Sequence, residues 1–173
     1  MVEIETPRLR LRTMRAGDAE GLLRVFGDPK VMAAFGEAPF DRAQMDRWVR
    51  RNLDHQDRHG YGLCTVIFKA EDRVIGDCGL TRMDLAGATE VELGYDFCSD
   101  YWNRGLATEA ATVVRDHAFG ALGLARLVGL IRQGNEASRR VAEKVGLRHE
   151  ADLTEHGVDY WLYAIARAAP REP

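Results

Sequence analysis

The sequence predicts an α/β (α+β) sandwich, a mixed sheet with helices on its faces. Three observations carry this reading. Short runs alternate apolar and polar residues, as strands with one buried face do. Longer segments place apolar residues at helical spacing. The two kinds interleave in the order β-α-α-β-β-β-α-β-α-β, with no repeat, low-complexity tract or Pro/Ser-rich linker between them. One domain over residues 1–173 follows.

Leu9 and Leu11 alternate with Arg8, Arg10 and Arg12, giving a strand with one apolar face. Nothing aromatic interleaves these arginines, so they form a solvated face rather than a nucleic-acid stripe. Asp18 is placed to cap a short helix carrying Leu22, Leu23 and Phe26, ending near Asp28 and Pro29. Asp41 and Gln44 have capping-box spacing. Met45, Trp48, Val49 and Leu53 then recur at helical spacing until Gly60. His55 and His59 sit four apart on that helix, but a third ligand and the H-E-x-x-H pattern are missing, so no metal site is expected. Arg47, Arg50 and Arg51 alternate with Asp46, Asp54 and Asp57 as a solvated face.

Residues 62–69 and 73–80 are two apolar runs around a turn, a hairpin. Residues 89–97 form the next strand. Val91, Leu93, Tyr95 and Phe97 share one face, and Glu90, Glu92, Gly94 and Asp96 the other. A helix follows with Ala107, Ala110, Ala111, Val114, Ala118, Ala121 and Leu122 on one stripe, and Gly120 and Gly123 as stops. Residues 126–132 read as a strand. Asn135 caps a further helix with Ala137, Val141 and Val145 inward and Gly146 at its end. Residues 159–167 close the sheet, and the tail AAPREP is expected to fray.

The composition narrows the function. Of 173 residues, 46% are hydrophobic and 29% charged, which excludes wholesale disorder. The net charge of -3 lacks the basic excess of a nucleic-acid binder. Cys64, Cys78 and Cys98 are odd in number and show no C-x-x-C spacing, against a disulfide framework or zinc ribbon and for reduced, cytoplasmic thiols. No secretion signal and no membrane span are read in the chain.

The stretch from Val91 to Arg115 carries the chemistry. Gly105 precedes an alanine-rich helix, and amides at a helix start lack intrahelical partners and point outward. With the helix dipole they make an anion site suited to a pyrophosphate. The phosphate loop G-x-x-x-x-G-K-[ST] and the dinucleotide fingerprint G-x-G-x-x-G are both absent. By itself, one glycine before a helix is weak and more often marks a plain strand-helix turn.

VELGYDFCSDYWNRGLATEA resembles the acetyl-CoA-binding motif of the GNAT superfamily of N-acetyltransferases. It is most similar to the ribosomal-protein N-terminal acetyltransferase-like branch, where a strand VELGY precedes W-G-x-G-x-A-T-E-A. Three further pieces agree in order. TPRLRLR resembles the opening strand, GNEASRRVAEKVGL the N-x-x-S-x-x-x-x-E-K-x-G helix, and DYWLYAIAR the closing strand. The resemblance covers residues 6–167, the expected core of the domain. Trp102 stands where the superfamily usually has Arg or Gln, and Asn103 where the branch often has Gly. Asn tolerates positive φ, so the loop still forms.

The resemblance implies a mostly antiparallel sheet of six to seven strands with helices on both faces and a central strand pair that splays after a β-bulge. It implies that amides of Asn103, Arg104, Gly105, Leu106, Ala107 and Thr108 cradle the CoA pyrophosphate. Pantetheine then runs beside Phe97, Cys98 and Ser99, with Asn135 adding a hydrogen bond besides its cap. An amide freed near Tyr95 or Asp96 polarises the thioester carbonyl. Arg104, Arg139, Arg140 and Lys144 are candidates for the 3′-phosphate and adenine edge.

A primary amine is protonated at neutral pH, with a pKa of about 10.4 for a lysine-like group, and must lose a proton before it attacks. Glu92 is the candidate base, with Glu90 its rival. Ser138 matches the serine that the branch places near the leaving sulfur, and Tyr163 and Tyr160 are weaker candidates there. Direct attack needs no nucleophile, so Cys98 is given no covalent role. The implied activity is acetyl-CoA-dependent N-acetyl transfer to a primary amine, on a protein N-terminus or a small molecule. The alternative is a non-catalytic acyl-CoA-binding sensor or partner domain. No metal, nucleic acid or membrane partner is expected, and the chain is expected as a monomer or homodimer.

Overall fold

Leu9 and Leu11 are fully buried, and the strand they begin lies within one continuous sheet. The computed structural model describes residues 3–85 and 87–167. In chain order the elements are β1 (Glu3–Glu5), β2 (Leu9–Thr13), α1 (Ala19–Phe26), α2 (Pro29–Ala33), α3 (Arg42–His59) and β3 (Leu63–Phe68). There follow β4 (Arg73–Leu85), β5 (Ala88–Phe97), α4 (Leu106–Gly120), β6 (Arg126–Arg132), α5 (Glu136–Val145), β7 (Arg148–Glu155) and β8 (Val158–Ala166). Short 3-10 turns at Ala16–Asp18 and Ser99–Tyr101 complete the set. No helix among the described residues is long and apolar enough to cross a membrane.

The eight strands run in the order β1-β2-β3-β4-β5-β6-β8-β7. Strands β1 to β5 pair antiparallel in turn, as do β6, β8 and β7. The two halves meet where β5 lies parallel to β6, bridged at Glu92↔Val128. A parallel neighbour requires a crossover, and α4 supplies it. Alternation decides what each face packs against. Thr65, Asp77 and Asp96 align across β3, β4 and β5 and face the side of α1, where the Thr65 hydroxyl donates to Asp18. Cys78 and Tyr95 have the opposite parity, and the Tyr95 hydroxyl donates to the Ser138 carbonyl on α5. Helices therefore cover both faces.

The capping box of α3 forms as its spacing predicts, with Gln44 N donating to Asp41 and Asp41 N to Gln44, each at 2.7 Å. Gly60 ends the helix at φ 74°, and Gly146 ends α5 at φ 101°. Other expectations need correction. The sheet has eight strands rather than six to seven, because β1 has only three residues and β7 (RHEADLTE) buries too little apolar surface to show a pattern. Helix α2 escapes the reading because it is five residues long; Pro29 begins it and the Asp28 carboxylate accepts from Lys30 N. Strand β4 continues to Leu85, past residue 80. The β4–β5 ladder carries no bulge, running unbroken from Gly76↔Phe97 to Leu85↔Ala88, and register shifts lie instead between Val66 and Ile67 of β3 and between His149 and Ala151 of β7. Ala121 and Ala137 are exposed, because α4 ends at Gly120 and α5 turns Ala142 inward, together with Val145 as expected. The tail expected to fray, 168–173, lies outside the described residues.

Asp18 does not cap α1 with its side chain. It turns under the sheet, where Arg12 donates to both carboxylate oxygens at 2.8 and 2.6 Å and Thr65 donates at 2.6 Å. The Arg15 amide donates to the same carboxylate at 2.8 Å. Burial pushes the Asp18 pKa up, but these hydrogen bonds and the Arg12 charge outweigh it and hold the carboxyl below its ordinary value. Asp18→Ala should cost about 3 kcal/mol in urea denaturation, since it strands the guanidinium and hydroxyl that the carboxylate satisfies. Because the folded pKa is depressed, this stabilisation is complete above the unfolded value of about 3.9 and disappears as pH falls through the folded one. The stability difference between wild type and variant should therefore shrink below pH ~4 and stay constant from there to neutrality.

Candidate active site

Only one bridge joins β5 to β6, at Glu92, and from there the strands part. The cleft that opens holds about 700 Å³. Glu92 stands at its vertex, where its Oε1 accepts from the Leu130 amide of β6 at 3.3 Å. Burial raises the Glu92 pKa, and that hydrogen bond opposes the rise only in part. The β5 edge from Leu93 to Phe97 lines one wall. Gly129 to Ile131 line the other, from β6.

At the mouth of the cleft the loop before α4 takes two left-handed turns, Asn103 at φ 59° and Gly105 at φ 75°. The asparagine thus adopts the conformation that its residue type tolerates. Gly105 is the N-cap residue of α4 and, lacking a side chain, leaves the first amides of this fifteen-residue helix uncapped. The loop is pinned from the segment just before β2. The Glu109 carboxylate accepts from the Thr6 hydroxyl at 2.6 Å, from Arg8 N at 3.0 Å and from Arg8 Nε at 2.6 Å. Arg8 also donates to the Arg104 carbonyl at 2.8 Å. Sequence reasoning read Arg8 as solvated and passed over Glu109; only the long-range contact of the β1–β2 connection with α4 reveals them.

On the far side, the Asn135 side chain accepts from Ser138 N at 3.1 Å, the cap that the sequence predicts. The Tyr95 hydroxyl donates to the Ser138 carbonyl at 2.8 Å, and the Ser138 hydroxyl donates back to Tyr95 at 3.2 Å. Burial pushes the Tyr95 pKa up, so its proton stays. Tyr95 was read as a face-forming residue, and nothing in its local spacing marks it as a partner of Ser138.

Of the candidate residues, Glu92, Phe97, Asn103, Gly105, Leu106, Ala107, Thr108, Asn135 and Ser138 all line this one cleft. Cys98 and Ser99 instead line a separate cavity of about 440 Å³, where the Ser99 hydroxyl donates to Asp28 at 2.5 Å. The Arg104 guanidinium lies over the Phe68 and Tyr101 rings, 5.0 and 5.1 Å from their centroids. Arg139 pairs with Glu136 and Glu143, whereas Arg140 and Lys144 line the cleft. The Tyr163 hydroxyl donates to Glu143 at 3.1 Å, while Tyr160 lines the cleft. Glu90 is paired with Arg126 at 3.2 Å. His55 accepts from the Arg82 amide at 2.9 Å, and among the described residues no three His, Cys, Asp or Glu side chains converge as a metal site.

The fold and its split sheet are those of an acetyltransferase. Residues 8–148 match the family Acetyltransferase (GNAT) domain. The protein YkkB of Bacillus subtilis is 33% identical over 152 residues, which cover 87% of this chain and 88% of that relative. The N-acetyltransferase p20 of Bacillus licheniformis is 28% identical over 174 residues, covering 96% of this chain and 97% of that relative. A GNAT-family acetyltransferase structure from Bacillus anthracis superimposes with a TM-score of 0.79 at 26% identity, over 95% of this chain and 98% of that one. The chain belongs to the GNAT family of acetyltransferases and is an N-acetyltransferase.

The three cysteines are buried and free. Burial raises the Cys78 thiol pKa and pushes those of Cys64 and Cys98 up to about 11, so thiolate is scarce at neutral pH. Ellman's reagent at pH 8 should therefore titrate less than about one thiol within minutes in the native protein and all three in guanidinium chloride.

Proposed function

We propose that the chain moves an acetyl group from acetyl-CoA directly to a primary amine, with both substrates bound at once. The observation that carries this reading is the split between β5 and β6, with the uncapped start of α4 at its mouth. Outward amides over 103–108 and the positive end of the α4 dipole suit a pyrophosphate. The free edge of β5 toward Phe97 suits an extended amide-bearing chain, which hydrogen-bonds as an added strand would. Arg140 and Lys144 offer cations to a phosphate on the α5 side. The residues present thus fit CoA, and acetyl-CoA when bound supplies an activated thioester.

The chain's own groups divide the remaining work. Glu92 takes the proton of the incoming ammonium, directly or through a water, and its burial-raised pKa brings it nearer that of the amine. The new C–N bond forms at the carbonyl carbon as the C–S bond breaks. One proton leaves through Glu92 and the second goes to sulfur. Ser138, held by Tyr95, keeps its hydroxyl on the α5 side of the cleft, where it bonds or protonates that sulfur. The four ordered sequence motifs support the ribosomal-protein N-terminal acetyltransferase-like branch, with a protein N-terminus or small-molecule amine as acceptor.

Glu92→Gln should lower kcat/KM for the amine by about 100-fold, followed as thiol release from acetyl-CoA. The acetyl-CoA Kd, measured by calorimetry, should move by less than about threefold. Unchanged turnover would remove Glu92 from the proton path. Ser138→Ala should slow turnover by more than about threefold.

A further inference from the structure

Among the described residues two large hydrophobic side chains are exposed, Phe35 and Trp102, and both line the cleft. An aromatic ring left in solvent at the edge of a cavity marks a place where a ligand's apolar group can seat. Phe35 lies in the connection between α2 and α3, its ring centroid 6.4 Å from that of Phe26 on α1. The Phe26 ring lies 4.7 Å from that of Trp48 on α3. Phe26 and Trp48 also line the cleft. The three rings form one aromatic wall.

Arg132, the last residue of β6, reaches this wall from across the cleft and donates to the Phe35 carbonyl. Gly36 permits the approach: its φ is 67°, and a Cβ there would collide with the guanidinium. A guanidinium carries more N–H donors than one carbonyl accepts. Among the described residues Arg132 makes no ion pair, not even with Glu37, which also lines the cleft. Its fork is therefore free for a carboxylate, the group it fits with two parallel hydrogen bonds. The bridge at Glu92↔Val128 puts Val128, Leu130 and Arg132 on the face of Glu92. The Leu130 amide holds the Glu92 carboxylate, and Arg132 is the next residue on that face, about 6.6 Å along the strand. A carboxylate on Arg132 and an amine approaching Glu92 thus belong to one compact molecule. An α-amino acid, with a single carbon between the two groups, has that form.

We propose that the acceptor is a free α-amino acid with an aromatic side chain, its carboxylate held by Arg132 and its ring seated against Phe26, Phe35 and Trp48. The inference rests on the N-acetyl-transfer reading above and narrows its acceptor to one chemical class. Arg132 is the specificity-determining residue, because it neutralises a carboxylate that Glu92 would otherwise repel. Gly36 is a positioning residue, because it lets the guanidinium lie against the strap that carries Phe35. A peptide N-terminus has an amide in place of the carboxylate and gains nothing from the charge of Arg132.

The test uses the whole chain as wild type, Arg132→Gln, Arg132→Lys and Phe35→Ala. Thermal shift with acetyl-CoA is measured first on the wild type. Thiol release then follows with phenylalanine, alanine and phenylalaninamide, and KM is read for each that is acetylated and Ki for any that is not. Wild type should use phenylalanine at least about tenfold more efficiently than alanine, by kcat/KM. Arg132→Gln should raise the phenylalanine KM at least about tenfold, and change the phenylalaninamide constant and the acetyl-CoA Kd by less than about threefold. Arg132→Lys, which keeps the charge without the fork, should recover part of that loss. Phe35→Ala should raise the phenylalanine KM at least about fivefold and leave the alanine constant within about threefold. Phe35 is 43% exposed, so its removal should leave the melting temperature within a few degrees of wild type. Equal effects of Arg132→Gln on phenylalanine and its amide, equal use of alanine and phenylalanine, or no release with phenylalanine despite an acetyl-CoA shift would each overturn the subsite while leaving the cofactor reading intact. No acetyl-CoA shift in the wild type would overturn that reading and the subsite with it.

Discussion

The architecture depends on one backbone pairing, the bridge between Glu92 and Val128. Two antiparallel half-sheets, one of five strands and one of three, share no other ladder contact. An exposed strand edge leaves N–H and C=O groups that require partners. Here the unpaired edge of β5 is inside the molecule, walled by β6, the α4 loop and α5. A protein that closed this seam would gain backbone hydrogen bonds and lose its cleft. The two helices that cross it, α4 and α5, hold it apart by burying Leu106, Ala110, Val114, Ala142 and Val145 in the common core. The small side chains of α4 let it sit close upon β5, so its amide-bearing end falls at the mouth of the split.

Charge is sorted across the same seam. Arg140, Lys144 and the positive end of α4 lie on the side suited to an anionic substrate. Glu92, Asp96 and Asp77 lie on the side of α1 and α3. The two sides of the seam therefore carry opposite polarities, with Glu92 at the vertex between them. The Arg12–Asp18–Thr65 cluster has a complementary part in this arrangement. It neutralises Arg12 beside the acidic face, so this guanidinium is not free to pair with Asp77 or Asp96.

Much of this was readable in the chain because local physics and tertiary structure agreed there. The Asp41/Gln44 box, the Gly60 and Gly146 stops and the Asn135 cap are interactions between residues within a few positions of each other, and spacing reveals them. The cleft-lining residues Phe97, Asn103 and Gly105 to Thr108 were found by motif resemblance, since one glycine before a helix is not distinctive. What the sequence hid is non-local. Asp18 looks like a cap until Arg12 and Thr65 arrive from other strands. Tyr95 and Ser138 meet across 43 positions, and Arg8 and Glu109 across 101. Strand β7 lacked an apolar face because the sheet's edge leaves it half in solvent. The Arg104 backbone belongs to the loop, while its side chain lies over the Phe68 and Tyr101 rings, the first of them brought by a distant strand.

Hydrogen exchange with and without saturating acetyl-CoA tests the central claim most directly. If the split at Glu92 is the donor site, exchange should slow by about tenfold or more in two segments together, the β5 edge at 93–97 and the loop at 103–108. The β2–β3 ladder on the other side of the sheet should be unchanged. Protection confined to other segments, or absent from 93–97, would contradict the account, because the free strand edge would then not be where the thioester lies.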